Sequence, residues 1–123
     1  MECAGFAAVR DFFYHDCDEP TARWAHSLLT PAPTEFLTQT VTLKEFWNAN
    51  KEFWNANLPR SYIQCLDDRA KPASASREVI RRLGVDPLAI DGSHSPFLSR
   101  PAELAALLVH ATTTAAAGPL LPA

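Results

Sequence analysis

Tyr62-Ile63-Gln64-Cys65-Leu66-Asp67-Asp68-Arg69-Ala70-Lys71-Pro72 is the stretch on which the reading of this chain turns. Its opening run, Tyr62 to Leu66, is short, apolar and β-prone at its start, which predicts a buried strand. Asp67-Asp68-Arg69-Ala70-Lys71 then reads as a polar loop. Pro72 suits the first turn of a helix that the pattern carries through Leu83. Arg81 and Arg82 fall in its last turn, and Gly84 is placed to end it. Pro87-Leu88-Ala89-Ile90 predicts a second short strand, which runs into the loop Asp91-Gly92-Ser93-His94-Ser95-Pro96. A last helix is expected from near Pro101, with Leu104, Leu107 and Leu108 on one face. The Ala-, Thr- and Pro-rich tail from Thr112 predicts fraying.

Strand, loop, helix, strand, loop, helix is the order of a parallel sheet with a right-handed crossover. In open α/β sheets the active groups sit in loops at the carboxyl ends of strands. Asp68 and His94 both occupy that position, on strands expected to be neighbours. Together they have the chemistry of two triad members. Histidine accepts a proton near neutral pH, and a carboxylate holds the imidazole in one tautomer and stabilises it once charged. On α/β-hydrolase sheets the chain order is serine, then acid, then histidine, and Asp68 before His94 matches the last two. Alone, Asp68 would read as a loop carboxylate capping the next helix. Asp91, Asp16 and Asp18 are weaker rivals for the acid.

The stretch ending in Pro72 resembles the penultimate-strand motif of α/β-hydrolase esterases, in which the acid precedes a proline by four positions; Asp68 fits that offset and Asp67 does not. Gly92-Ser93-His94-Ser95-Pro96-Phe97-Leu98-Ser99-Arg100-Pro101-Ala102-Glu103-Leu104 is similar to the terminal histidine loop and following helix of that family. Phe13-Tyr14-His15-Asp16-Cys17-Asp18 and the helix after it resemble the end of a cap domain in small-ester esterases, among them the plant methylester esterase and hydroxynitrile lyase group. The resemblance implies a partial α/β-hydrolase fold: a C-terminal strand-helix-strand-helix unit preceded by cap-derived helices. It implies carboxylic ester hydrolysis in the parent protein, a small-molecule ester as substrate, no cofactor, and Asp68 and His94 as catalytic residues.

The departures are as specific. No Gly-x-Ser-x-Gly nucleophile elbow exists, the glycine-bearing oxyanion loop is missing, and the chain's 4 glycines can build neither. The expectation is therefore a truncated frame beginning inside the cap and inactive alone. Residues 1–58 would be the end of the cap region and a connecting segment, 59–111 the C-terminal hydrolase unit, and 112–123 a flexible tail. Two alternatives stand beside it: a non-catalytic interaction fragment that self-associates through an open sheet edge, and a non-functional product of a damaged gene.

Upstream of the strands the signals are local. Asp18 can cap a helix with Pro20 in its first turn and Thr21, Trp24, Ala25 and Leu28 on one face, ended by Thr30-Pro31-Ala32-Pro33. Phe12, Phe13, Tyr14 and Trp24 read as core. Lys44-Glu45-Phe46-Trp47-Asn48-Ala49-Asn50 is followed at once by an identical copy from Lys51 to Asn57. Two such short copies are too few for a solenoid, and adjacent aromatics do not make a coiled-coil seam, so a tandem duplication in a connecting segment is the expectation. Cys3-Ala4-Gly5 is half of a nucleophile elbow with cysteine in place of serine, and lacks the preceding glycine.

Composition narrows the rest. The 123 residues allow one domain; 47% are hydrophobic and 20% charged, and the formal charge of −3 leaves no basic footprint for nucleic acid. No apolar run approaches the roughly 20 residues of a membrane span, and no secretory leader is legible at the N-terminus. Cys3, Cys17 and Cys65 match no disulfide framework, and His15 with Cys17 matches no paired zinc-ligand pattern, so a reduced, cytoplasmic setting and no metal are expected.

Overall fold

Parallel pairing of two short strands organises the C-terminal part of the molecule in a computed structural model. The structure describes residues 5–33, 38 and 59–115. Strand β1 (Ile63–Cys65) lies beside β2 (Leu88–Ile90) with Ile63 opposite Leu88, Gln64 opposite Ala89 and Cys65 opposite Ile90. Helix α3 (Ala73–Leu83) makes the crossover between them. The described residues thus form a mixed α/β arrangement with the expected parallel unit.

The signals that end each element act locally. Asp18 caps helix α2 (Glu19–Ser27), its Oδ1 accepting the Thr21 N–H at 2.7 Å, with Pro20 in the first turn. Gly84 ends α3 in the left-handed conformation (φ 62°, ψ 40°), and its N–H donates to the carbonyls of Ile80 and Arg81. The Arg60 guanidinium supplies another donor to that helix end, 2.7 Å from the Leu83 carbonyl. Tyr62 ties α3 back to β1: its hydroxyl donates to Ser76 Oγ at 3.3 Å and accepts from Lys71 Nζ at 3.1 Å.

The apolar core lies at the N-terminal side. Helix α1 (Phe6–Phe13) packs against α2, burying Val9, Tyr14, Cys17, Ala22 and Ala25, with Phe6 and Leu98 against them. Leu98 belongs to α4 (Pro96–Ser99), a single turn directly after the histidine loop. Through it the C-terminal unit reaches the core of the N-terminal helices.

Several expectations are corrected. The face of α2 that packs inward carries Ala22 and Ala25, whereas Trp24 and Leu28 are 57% and 63% exposed. The small side chains let α1 approach closely. Phe12 and Phe13 are exposed too, so Tyr14 is the one member of the expected aromatic core that is buried. Helix α2 stops at Ser27, short of the prolines. Strand β1 is half-buried along its length, as fits a two-stranded sheet. Helix α5 (Pro101–Thr114) continues past Thr112, where the hydroxyls of Thr112, Thr113 and Thr114 donate to carbonyls one turn back. Of its expected apolar face, Leu104 and Leu107 are partly covered and Leu108 is exposed. The repeated segment and Cys3 lie outside the described residues.

Candidate active site

Beyond the last paired residues of β1 and β2 the ladder continues into both loops. The Leu66 N–H donates to the Ile90 carbonyl at 3.0 Å, and the Asp67 N–H to the Gly92 carbonyl at 3.1 Å. Those bonds hold the two loops in register at one end of the sheet, one residue short of Asp68 and two short of His94. The two side chains then meet. His94 Nδ1 lies 2.9 Å from Asp68 Oδ2 and 3.1 Å from Oδ1.

Asp68 is held from a second direction. Its Oδ1 accepts the N–H of Ala70 at 2.9 Å and of Lys71 at 2.7 Å, closing the loop on itself just before Pro72. The loop-capping role and the histidine contact are thus made by one carboxylate at once. The Asp68 side chain is 12% exposed and that of His94 40%: the acid is enclosed while the base keeps an open side. In the neutral imidazole, a carboxylate facing Nδ1 makes that nitrogen the donor and leaves the lone pair on Nε2. The pair therefore presents a fixed imidazole able to take a proton at Nε2.

Around the imidazole stand residues that spacing alone did not single out. The Phe13 ring meets it edge-on, with centroids 5.1 Å apart. Asp16 Oδ2 accepts the Ser93 N–H at 2.9 Å, and Ser93 Oγ donates to the Phe13 carbonyl at 3.1 Å. Partial burial pushes the Asp16 carboxyl upward, but the hydrogen-bonding groups around it, Ser93 foremost, together outweigh this and hold it below the ordinary range. His15 reaches the other loop, its Nε2 2.9 Å from the Asp67 carbonyl, and Arg69 pairs with Asp11. The segment that resembles the end of a cap domain, and whose Asp16 is a weaker rival for the acid, thus braces both loops through His15 and Asp16. No sequence signal links position 16 to position 93.

Asp67 points away from the imidazole toward His15, and Asp18 is spent on the cap of α2. Ser93 is fully buried with its hydroxyl engaged, and no serine or cysteine among the described residues is hydrogen-bonded to His94. Burial pushes the Cys65 thiol up, and the nearby carboxylates of Asp68 and Asp16 push it further. Burial likewise raises the Cys17 thiol, seconded by Asp16 and Asp18. A surface cavity of about 400 Å³ lined by Phe6, Arg10, Asp11, His15, Glu19 and Arg23 lies beside this brace and includes neither Asp68 nor His94. Among the described residues, no three His, Cys, Asp or Glu side chains converge to hold a metal ion, and no helix is long and apolar enough to cross a membrane.

No family model, curated protein or solved structure matches this chain.

Proposed function

We propose that Asp68 and His94 are the acid and base of an esterase-like serine hydrolase with the α/β-hydrolase fold, whose serine is contributed by sequence outside this chain. The observation that carries the reading is the 2.9 Å contact between His94 Nδ1 and Asp68 Oδ2 at the carboxyl ends of two parallel strands. In that reaction His94 Nε2 takes the serine proton as the hydroxyl attacks the ester carbonyl. Asp68 stabilises the imidazolium, which returns the proton to the departing alcohol. A water molecule, deprotonated by the same nitrogen, then releases the acid and frees the serine.

Two measurements test the reading. The purified chain should turn over a nitrophenyl ester no faster with His94 than with His94→Ala, since it has no serine at the imidazole to acylate; His94-dependent turnover by this chain alone would contradict the proposal. The DNA upstream of Met1 should encode Gly-x-Ser-x-Gly, in frame or across one frameshift. The longer product should react with a fluorophosphonate at that serine and hydrolyse the ester. Asp68→Asn should then lower kcat by about 10⁴-fold and His94→Ala by at least as much. Absence of such a serine in either frame would sink the idea.

A second reading has one observation in its favour. Leu108 and Val109 on α5 are more than half exposed, as fits a face that docks against a partner chain in a non-catalytic role. A concentration-independent monomer in sedimentation equilibrium would count against it.

A further inference from the structure

We propose that Asp16 is a positioning residue for the acid–base pair: its carboxylate anchors the loop that carries His94 and so keeps the imidazole on Asp68. The inference rests on reading Asp68 and His94 as such a pair.

The loop after β2 must hold one side chain to within a few tenths of an ångström, yet it has little regular structure of its own. Its backbone is tied instead to the turn after α1. The Ser93 N–H, immediately before His94, donates to Asp16 Oδ2 at 2.9 Å, a charge-assisted bond. The Ser93 hydroxyl, wholly buried, donates to the Phe13 carbonyl at 3.1 Å and accepts the Ser95 N–H at 3.3 Å. Both neighbours of His94 in the chain are therefore fixed by one network that spans 77 and 80 positions of sequence.

Two further observations fit an anchor rather than a chance surface contact. At Gly92 an added Cβ would come within 3.2 Å of Asp16 Oδ2 and 3.3 Å of the Arg100 side chain, so the missing side chain is what allows the carboxylate its approach. The Phe13 ring lies edge-on to the imidazole from the same turn, and the main chain of that residue takes the second hydrogen bond. Removing the anchor leaves Asp68 in its own loop, held by Ala70 and Lys71, but frees the backbone on which His94 rides. Displacements of about 1 Å are enough to disable a constellation of this kind.

The test uses the full chain and two NMR readouts: hydrogen exchange at the Ser93 amide, and the His94 Nδ1 proton signal with its dependence on Asp68. In Asp16→Ala, Ser93 exchange should rise by about tenfold or more while the Gly84 amide at the end of α3 keeps its protection. The Nδ1 proton should broaden or disappear. Asp16→Asn should restore it, because the amide oxygen can accept the same N–H. Should Asp16→Ala not fold, Gly92→Ala, which presses on the carboxylate, should give the same two changes to a smaller degree.

An unchanged Nδ1 signal in Asp16→Ala or Gly92→Ala, with that signal lost in Asp68→Ala, overturns the anchoring role and leaves the acid–base pair standing. A signal that survives Asp68→Ala, where no accepting oxygen remains at that position, overturns the pair itself. Failure of Asp16→Asn to rescue a lost signal also overturns the anchor, since the accepting oxygen is back in place.

Discussion

Asp68 turns its own loop with one oxygen while both of its oxygens lie within hydrogen-bond range of His94. One carboxylate therefore serves both its own loop and the histidine of the neighbouring one. A carboxylate that accepts two backbone N–H bonds cannot swing, and a carboxylate that cannot swing is a better anchor for an imidazole. Cys17 and Cys65 are both raised above the ordinary thiol range by burial and then by neighbouring carboxylates. Because the thiolate is the reactive species, both should resist disulfide reagents. Reaction of the folded chain with an aromatic disulfide at pH 8 should therefore leave these two thiols at least about tenfold slower than in urea. Tryptic mapping of the modified cysteines would show it, and equal rates in the two conditions would contradict it.

At the scale of elements, what could be read in advance depended on how far each signal reaches. The starts of α2 and α3 and the stop of α3 were legible because Asp18, Pro20, Pro72 and Gly84 act within a turn of where they stand. The parallel unit was legible because its order follows from the alternation of short apolar runs with a helical pattern. The inward face of α2 was not. A helical wheel offers more than one apolar stripe, and only the close approach of α1 selects Ala22 and Ala25 over Trp24 and Leu28. The brace from Asp16 to Ser93 was invisible for a related reason: it joins two loops far apart in sequence, and loops have no periodicity. The locally acting residues have predictable weights. Asp18→Ala removes the side-chain acceptor for the Thr21 N–H at the start of α2 and should lower stability. Gly84→Ala forces a Cβ into a left-handed backbone and should cost about 1–2 kcal/mol. Urea titrations of the two variants, with unchanged m-values, would measure both.

At the scale of the molecule, the buried apolar set among the described residues is small, and polar contacts carry much of the join between the N-terminal helices and the C-terminal unit. That makes the join sensitive to acid. Asp16 has its carboxyl held below the ordinary 3.8, so the unfolded chain binds the proton more readily than the folded one. Its contribution is therefore fully present above about pH 3.8 and is lost as the pH falls through the lower, folded value. Asp18, lowered by its bonds to Thr21, adds to the same trend with the same sign. The urea midpoint should thus decline as the pH drops from 5 toward 3, and the decline should be shallower in Asp16→Asn. An equal slope in that variant would mean that Asp16 takes no part in the acid response.

The contact between Asp16 and Ser93 also makes the whole repeated segment, Lys44 to Asn57, part of a single closed ring of chain. Ring closure is paid for in entropy that grows only with the logarithm of length. Against a span of 77 positions, seven more residues change that cost by about 0.1 kcal/mol. A tandem copy falling inside this ring is thus almost weightless to the site the ring closes, whereas one falling between Asp68 and His94 would shift the two side chains out of register. Duplication tolerance, on this view, is a property of where a long-range bond of the structure happens to be drawn.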